Sequence, residues 1–227
     1  MNLIRRLASH LPKGAQHELR RMNFARQIRR DEFIPREPEI DAIRTLVKDG
    51  DWVIDIGANV GHYTLELSRQ VGATGRVLAF EPVPQTFEIL AANVVASKAG
   101  NVSLLNMAAS NVAGVFSMQI PTFEETNLDN YYQARLCDSG GLTVLCSPVD
   151  SIPIPHRIRL IKIDAEGHDL SVLEGMQALI ERDRPVLIVE SAEGGAIPDW
   201  LKQRGYSISK AANSPNIIAL PTNAAQA

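Results

Sequence analysis

Two apolar runs that each end in a carboxylate constrain this chain more than any other feature. Trp52-Val53-Ile54-Asp55-Ile56 leads into Gly57-Ala58-Asn59-Val60-Gly61, and Val77-Leu78-Ala79-Phe80 ends in Glu81, 20 residues after Gly61. A short run without polar interruption reads as a strand buried in a parallel sheet. Such a strand delivers its polar residue at its C-terminal end, where open α/β sheets bind ligands. Asp55, Glu81 and the glycines are therefore expected to meet in one crevice.

The pattern around that crevice repeats. Strands are predicted over 52–56, 76–81, 101–107, 158–164 and 185–190, with helices at about 61–71, 84–98 and 169–182 between them. Strand–helix alternation at this spacing predicts a doubly wound, mostly parallel α/β sheet with helices on both faces. Pro84 suits the first turn of its helix, and Arg184-Pro185 ends one element and begins the next. A further helix is predicted over 38–49, closing at Gly50. Residues 112–150 break the alternation. Val115–Ile120 and Leu142–Leu145 read as β ribbons flanking a polar stretch, 121–141, with Tyr131, Tyr132 and Arg135. A loop of that length inside a compact domain is usually functional, and it is expected to act as a lid or acceptor-binding insertion. Tyr206–Ser209 and Asn216–Leu220 are expected to close the domain as an antiparallel hairpin, with 221–227 as a frayed tail.

The chain divides into a basic helical arm (1–36), a domain (37–220, with the insertion) and the tail. Residues 1–30 hold eight basic side chains and one acid; with a net charge of −3 overall, the arm is +7 and the remainder −10. Leu3, Leu7 and Leu11 form one apolar stripe, Leu19, Met22, Ala25 and Ile28 another, split by Pro12-Lys13-Gly14. These stripes are expected to dock on the body or on a second copy in a homo-oligomer. Peripheral contact with an anionic membrane is the other reading. No apolar run approaches a membrane span. The opening arginines never lead into the apolar stretch of a signal peptide, so a cytoplasmic location is expected, at the inner face of the membrane if the arm touches lipid. Cys137 and Cys146 fit neither a zinc site nor a disulfide framework and read as reduced thiols. His10, His17, His62 and His156 are scattered and read as solvated or capping residues. No specific nucleic-acid partner is expected.

The loop narrows the ligand. Gly57 and Gly61 allow backbone to approach a small molecule, and the following helix offers free N–H groups to a carboxylate. Asp55 would repel a pyrophosphate but suits an ammonium group. Glu81 can accept both hydroxyls of a ribose, and the dinucleotide pattern G-x-G-x-x-G is absent because position 59 is Asn. These residues favour S-adenosylmethionine over a dinucleotide. A second cluster, Ile161-Lys162-Ile163-Asp164-Ala165-Glu166-Gly167-His168-Asp169, follows the strand expected beside it. Asp164, Glu166 and His168 are the candidates to take or orient a proton from an acceptor hydroxyl, and Asp169 reads as a helix-start residue. Lys162 is out of place in a buried strand; it either reaches an acid in the site or snorkels to an edge. Asp164 and Glu190 could share a Mg²⁺, but no third oxygen ligand is evident, so no metal is expected.

Asp55–Thr64, Phe80-Glu81-Pro82, Asn106-Met107-Ala108-Ala109 with Gly114, Val149-Asp150, Leu160–Asp169, Leu173-Glu174-Gly175 and Pro185–Glu190 together resemble the FkbM-type family of S-adenosylmethionine-dependent methyltransferases over roughly residues 37–220. The Lys-Ile-Asp-x-Glu-Gly stretch is the specific element. The resemblance implies a class I methyltransferase (Rossmann-like) sheet of seven strands, the last antiparallel, and O-methylation of a hydroxyl on a small molecule or glycan. It places Gly57, Asn59 and Gly61 at the methionine end of the cofactor, Glu81 at the ribose, and Pro82 and the Asn106–Ala108 strand end beside the adenine. Two other readings stay open: a non-catalytic docking or regulatory subunit that keeps the cofactor fold, and a nicotinamide-dependent oxidoreductase.

Overall fold

The computed structural model describes residues 11–35, 37–123, 128–137, 139–210 and 212–222. The arm stripe at Leu3 and Leu7, and His10, lie outside them, as does the tail from 223. In chain order the elements are helices α1 (Lys13–Arg29) and α2 (Ile40–Leu46), strand β1 (Trp52–Ile56), α3 (His62–Val71), β2 (Arg76–Phe80), α4 (Pro84–Ala96), β3 (Val102–Leu105) and β4 (Ala108–Ala109). Next come β5 (Gly114–Gln119), β6 (Arg135–Cys137), β7 (Leu142–Ser147), β8 (Ile158–Ile163), α5 (Asp169–Glu174), α6 (Gln177–Asp183), β9 (Val186–Glu190), α7 (Ala196–Gln203), β10 (Tyr206–Lys210) and β11 (Asn216–Pro221).

Seven strands build the main sheet in the order β10-β11-β9-β8-β1-β2-β3. β11 runs antiparallel to both neighbours, and the pairs from β9 to β3 are parallel. Side-chain alternation along the buried strands splits the core. Ile54, Ile56, Ile161, Ile163, Leu187 and Val189 pack with Val172, Leu173, Met176, Ile180 and Leu201 from α5 to α7. Val53, Val77, Leu160 and Ile188 pack on the other face with Ile40, Ile43, Leu67 and Val71 from α2 and α3. A second sheet, in the order β4-β7-β5-β6, is built by three strands of the insertion and β4, which precedes it. It has its own small core, with Met118, Val144 and Cys146 buried against Val83 and Ala108.

The structure departs from the sequence reading in four places. The helix expected over 38–49 stops at Leu46, because Val47 turns extended to bury its side chain and the Lys48 N–H goes to Asp51 Oδ2 at 2.8 Å. The helix expected over 169–182 is two helices, broken at Gly175-Met176. There the chain passes so close to the β4 exit that a Cβ on Gly175 would lie 1.9 Å from the Ser110 carbonyl oxygen. The polar stretch 121–141 contains a 3₁₀ turn at Tyr131–Gln133 and the strand β6. Helix α7 was not anticipated; it buries Pro198 and Leu201 through one turn-spaced face.

The arm also docks differently from the expected stripe. Phe24 enters the core beside α4 and meets Phe33 edge-on at 5.6 Å, and Phe33 stacks on His62 at 4.0 Å. Ile28 packs against the same cluster, whereas Leu19 and Met22 face outward, 47% and 62% exposed. The large aromatic, not the leucine–methionine stripe, decides which face turns inward, since a phenyl ring carries more apolar area.

Replacing Gly175 by Ala should destabilise the fold by about 1–3 kcal/mol, because the clashing neighbour is backbone and cannot swing aside. Urea unfolding monitored by circular dichroism measures it, and a variant as stable as the parent would show that the α5–α6 break has another cause.

Candidate active site

The site begins with backbone. Gly57 and Ala58 donate to the Phe80 carbonyl at 3.0 and 2.9 Å, Glu81 N–H reaches the Leu105 carbonyl at 3.0 Å, and Asp164 N–H reaches the Ile56 carbonyl at 3.0 Å. These bonds carry the strand exits of β1, β2, β3 and β8 into one ledge. Gly57, at φ +74°, sits so close to β8 that a Cβ would fall 1.9 Å from the Asp164 carbonyl oxygen. Asn59 takes φ +50°, which Asn tolerates better than most side chains, and its Oδ1 accepts the Val60 N–H at 2.8 Å.

A cleft of about 140 Å³, partly open to solvent, lies on this ledge. Gly57, Asn59, Glu81, Pro82, Ala108, Asp164, Glu166 and His168 all line it, so most of the expected site residues come together. Tyr131, Tyr132, Met118 and Leu136 of the insertion form the facing wall. Three expected residues do not line it. Gly61 caps α3 behind the loop. Asn106 donates its amide to the Glu81 and Pro82 carbonyls at 2.8 and 3.2 Å, holding the β2 exit from outside. Asp55 is fully buried and accepts from the Thr64 hydroxyl at 2.6 Å, so its carboxylate stands behind the cleft lining.

Glu81 joins two loops. Its Oε2 accepts from Asn59 N–H and its Oε1 from Val83 N–H, each at 2.9 Å. Burial outweighs those bonds and pushes its carboxyl up to about 7.

Lys162, the anomaly of the sequence, is inside the protein. Its ammonium donates to Asp164 Oδ2 at 2.7 Å with its side chain 2% exposed, and it lies 4.8 Å from the Tyr63 ring centroid. In the β1–β8 register it stands beside Asp55. Burial pushes Asp164 upward, but Lys162 and a hydrogen bond from Glu190 more than reverse this, holding Asp164 below the ordinary carboxylate range. Glu190 carries the complementary shift. Burial and the proton it shares with Asp164 raise it to about 7. Asp55 is raised by burial, with Lys162 and Thr64 opposing.

Glu166 differs from its neighbours. It holds φ +48°, rare for a side chain of its size, and makes no side-chain hydrogen bond among the described residues. Burial, then the charges of Asp164 and Asp169, raise it to about 7. Asp169 is structural, as its position suggested: its two oxygens accept the Ala165 and Gly167 N–H groups at 2.9 and 3.2 Å. His168 shares a hydrogen bond with Ser110 Oγ at 2.9 Å, and burial lowers its pKa against the opposing charge of Asp169, which favours the neutral ring. Carboxylate oxygens of Asp164, Glu166 and Glu190 converge within 4.8 Å of one another. The third oxygen donor that the sequence did not reveal is thus Glu166, although Lys162 and the shared proton already balance much of the cluster's charge.

The profile of the methyltransferase FkbM domain matches residues 55–208. The chain belongs to the FkbM methyltransferase family. A curated relative, the hexuronic acid methyltransferase AglP of Haloferax volcanii, is 28% identical over 159 residues, covering 66% of this chain and 61% of that protein. The fold is similar to that of methyltransferase FkbM from Methylobacillus flagellatus, with a TM-score of 0.58 at 17% identity over 78% of this chain and 47% of that one. A methyltransferase from Streptococcus mutans, solved in complex with SAH, gives a TM-score of 0.51 at 15% identity over 82% of this chain and 97% of that one. These likenesses show the class I methyltransferase fold. The chain spans less than two thirds of AglP and about half of the Methylobacillus protein.

In this FkbM-family domain the matched region opens at Asp55 and includes Glu81 and Lys162–Asp169, while α1 lies outside it. Yet α1 touches the wall of the cleft: Arg20 lies 5.1 Å from the Tyr131 ring centroid, and Lys13 pairs with Asp129, which also accepts from the Tyr131 hydroxyl.

Replacing Lys162 by Met should cost about 3–5 kcal/mol at pH 7, since it leaves Asp55 buried without a cation and Asp164 without its ion pair. The loss should shrink in acid, where protons take the place of the ammonium. Denaturant midpoints at pH 5 and pH 7.5 compare the two conditions; equal losses at both would show that packing, not charge, sets the effect.

Proposed function

We propose that this FkbM-family chain transfers a methyl group from S-adenosylmethionine to a hydroxyl on a small molecule or glycan. One observation carries the reading. A single cleft joins the Gly57–Asn59–Glu81 ledge to a carboxylate, Glu166, that no protein group occupies. The donor set fits the cofactor. Three carboxyl side chains and no Lys or Arg line the cleft, which suits a sulfonium and would repel the pyrophosphate of a nicotinamide dinucleotide. When bound, S-adenosylmethionine supplies an activated methyl that an acceptor oxygen takes by in-line displacement, S-adenosylhomocysteine being released.

The residues divide the remaining work. Glu81 keeps a lone pair on each oxygen for the ribose hydroxyls, and Asn59 and Gly57 shape the loop beside the methionine end. Glu166 takes the acceptor proton, because its value near 7 matches a base working at neutral pH and its oxygens are free of protein donors. Asp164 has less capacity, with one oxygen on Lys162 and a proton shared with Glu190. His168 fixes its loop to Ser110. The acceptor oxygen and methyl need mainly alignment, and Tyr131 and Tyr132 offer ring faces for that purpose. AglP is named for a hexuronic acid. An acceptor carboxylate here would face Asp164 and Glu166, so an uncharged hydroxyl-bearing ring suits this lining better. No metal is assigned to the reaction.

The raised carboxyls set a pH dependence. Glu81, Glu166 and Glu190 sit at about 7 when folded against 4.5 when unfolded, so their contribution to stability is fullest below about pH 4.5 and is lost as pH rises through about 7. Cofactor binding runs the other way, because the ribose hydroxyls donate to an ionised Glu81. The Kd for S-adenosylhomocysteine should fall about tenfold per unit between pH 5 and pH 7 and level off above. Calorimetric titration of the parent and of Glu81→Gln follows it, with the slope removed in the variant; an unchanged slope would dismiss the ribose role.

Glu166→Gln should lower turnover about 10²–10³-fold while leaving the S-adenosylhomocysteine Kd within about twofold. EDTA should leave turnover unchanged. Mass spectrometry of methylated products supplies the rate, and a chelator-sensitive rate would transfer the acid cluster from proton removal to cation binding. Tight NADH binding, or cofactor binding with no transfer to any neutral glycan, lipid or metabolite pool, would favour the oxidoreductase or docking-subunit reading instead.

A further inference from the structure

Helix α1 has one covered face and one uncovered face. The covered face is held by Phe24 in the core, by His17 on Glu88 at 3.2 Å, and by Lys13 and Arg20 against the insertion. The opposite face carries Leu19 and Met22, with Leu11 just before the helix, 40% exposed. Their spacing of eight and three residues places them on one side. Arg26, Arg29 and Arg30 extend that side, all exposed and in no ion pair among the described residues. In sequence, Leu3 and Leu7 precede Leu11 at the same spacing of four, with Arg5 and Arg6 between them.

We propose that this face seats on an anionic lipid surface. Leu11, Leu19 and Met22 enter the boundary between headgroups and acyl chains, and the arginines meet acidic headgroups, the geometry of a helix lying in the interfacial plane. Charge disfavours a second copy in a parallel two-fold arm-to-arm contact, because that would set Arg26, Arg29 and Arg30 near their own symmetry mates, and an antiparallel one would set them toward the basic N-terminal end of the arm. Charge also sets the orientation: residues 31–227 carry −10, so an anionic surface attracts the arm and repels the body. No helix among the described residues is long and apolar enough to cross a membrane, so the contact is peripheral. It brings α1, and the insertion wall that α1 touches, to the lipid surface. This inference is independent of the transfer chemistry.

Sedimentation of the full chain with vesicles of phosphatidylcholine alone, or with an equal share of phosphatidylglycerol, tests it. Binding should appear only with the anionic vesicles and be released as ionic strength rises toward about 1 M. Each of Arg26→Gln, Arg29→Gln and Arg30→Gln should weaken it about fivefold. Met22→Glu should weaken it about tenfold or more, with S-adenosylhomocysteine affinity unchanged as the check on folding. The proposal is overturned by no vesicle binding, by equal binding to both compositions, or by binding that ignores Met22→Glu while duplex DNA is held as tightly. A dimer by light scattering that Met22→Glu converts to monomer would give the face to a second copy instead.

Discussion

The ammonium of Lys162 organises this site from beneath. A lysine head group cannot stay charged in a protein interior without a carboxylate, and the sheet supplies two. Asp164 lies two residues on, just past the end of β8, and accepts from the ammonium; Asp55 is the neighbour of Lys162 across the register. One cation between two carboxylates leaves a negative charge over. The Thr64 hydroxyl on Asp55 and the Glu190 proton on Asp164 absorb it. The first turn of α3 is drawn into the same network, since Tyr63 covers the ammonium with its ring and donates its hydroxyl to Glu39 at 2.7 Å. Glu39 in turn accepts from Ser214 and Asn216 at the start of β11. Removing the lysine would thus disturb a continuous polar layer that fixes β1, β8, α3 and β11 against one another, and with them the glycine loop.

That layer explains what was legible in the sequence. The strands, their order of appearance and the crevice followed from apolar runs ending in acids, because a buried parallel strand has little freedom in where its polar residue emerges. Glu81, Asp164 and the glycine loop were therefore readable one by one. Lys162 was visible only as an anomaly, since sequence shows that a charge is buried but not which partner neutralises it. Asp55 illustrates the same limit. Its place at a strand end suggested a ligand contact, but alternation turned its side chain toward α3, where Thr64 takes it. Glu166 entered the acid cluster through a left-handed backbone conformation that no periodicity announces.

Elements set by long-range packing were the least legible. The break at Gly175 exists because the Ser110 carbonyl occupies the space a side chain would need, a contact 65 residues away along the chain. In the arm, a spacing of three made Leu19, Met22, Ala25 and Ile28 look like the docking face, although Phe24 takes the core position with Ile28 one turn on, and Leu19 and Met22 lie on the opposite side. The 121–141 stretch read as a loop because β6 is three residues long and, among the described residues, pairs only with β5. Strands that short carry almost no periodic signal.

On the proposed reading, the acidity of the cleft also times the base. Glu81 and Glu166 in the cleft, and Glu190 behind Asp164, all lie at about 7, so near neutral pH each is only partly ionised. A cation beside a carboxyl favours its ionised form, so Glu81 and Glu166, which line the cleft, would give up their protons more readily with a sulfonium bound there. Glu166 then becomes a full carboxylate when an acceptor hydroxyl has a methyl to attack. After transfer the sulfur is neutral and Glu166 holds the proton it removed, a state its raised pKa favours. The protonated Glu166 no longer repels Asp164, and the cleft has lost both a cation and a negative charge. Loading the donor and charging the base are thus linked through electrostatics alone, without a conformational switch.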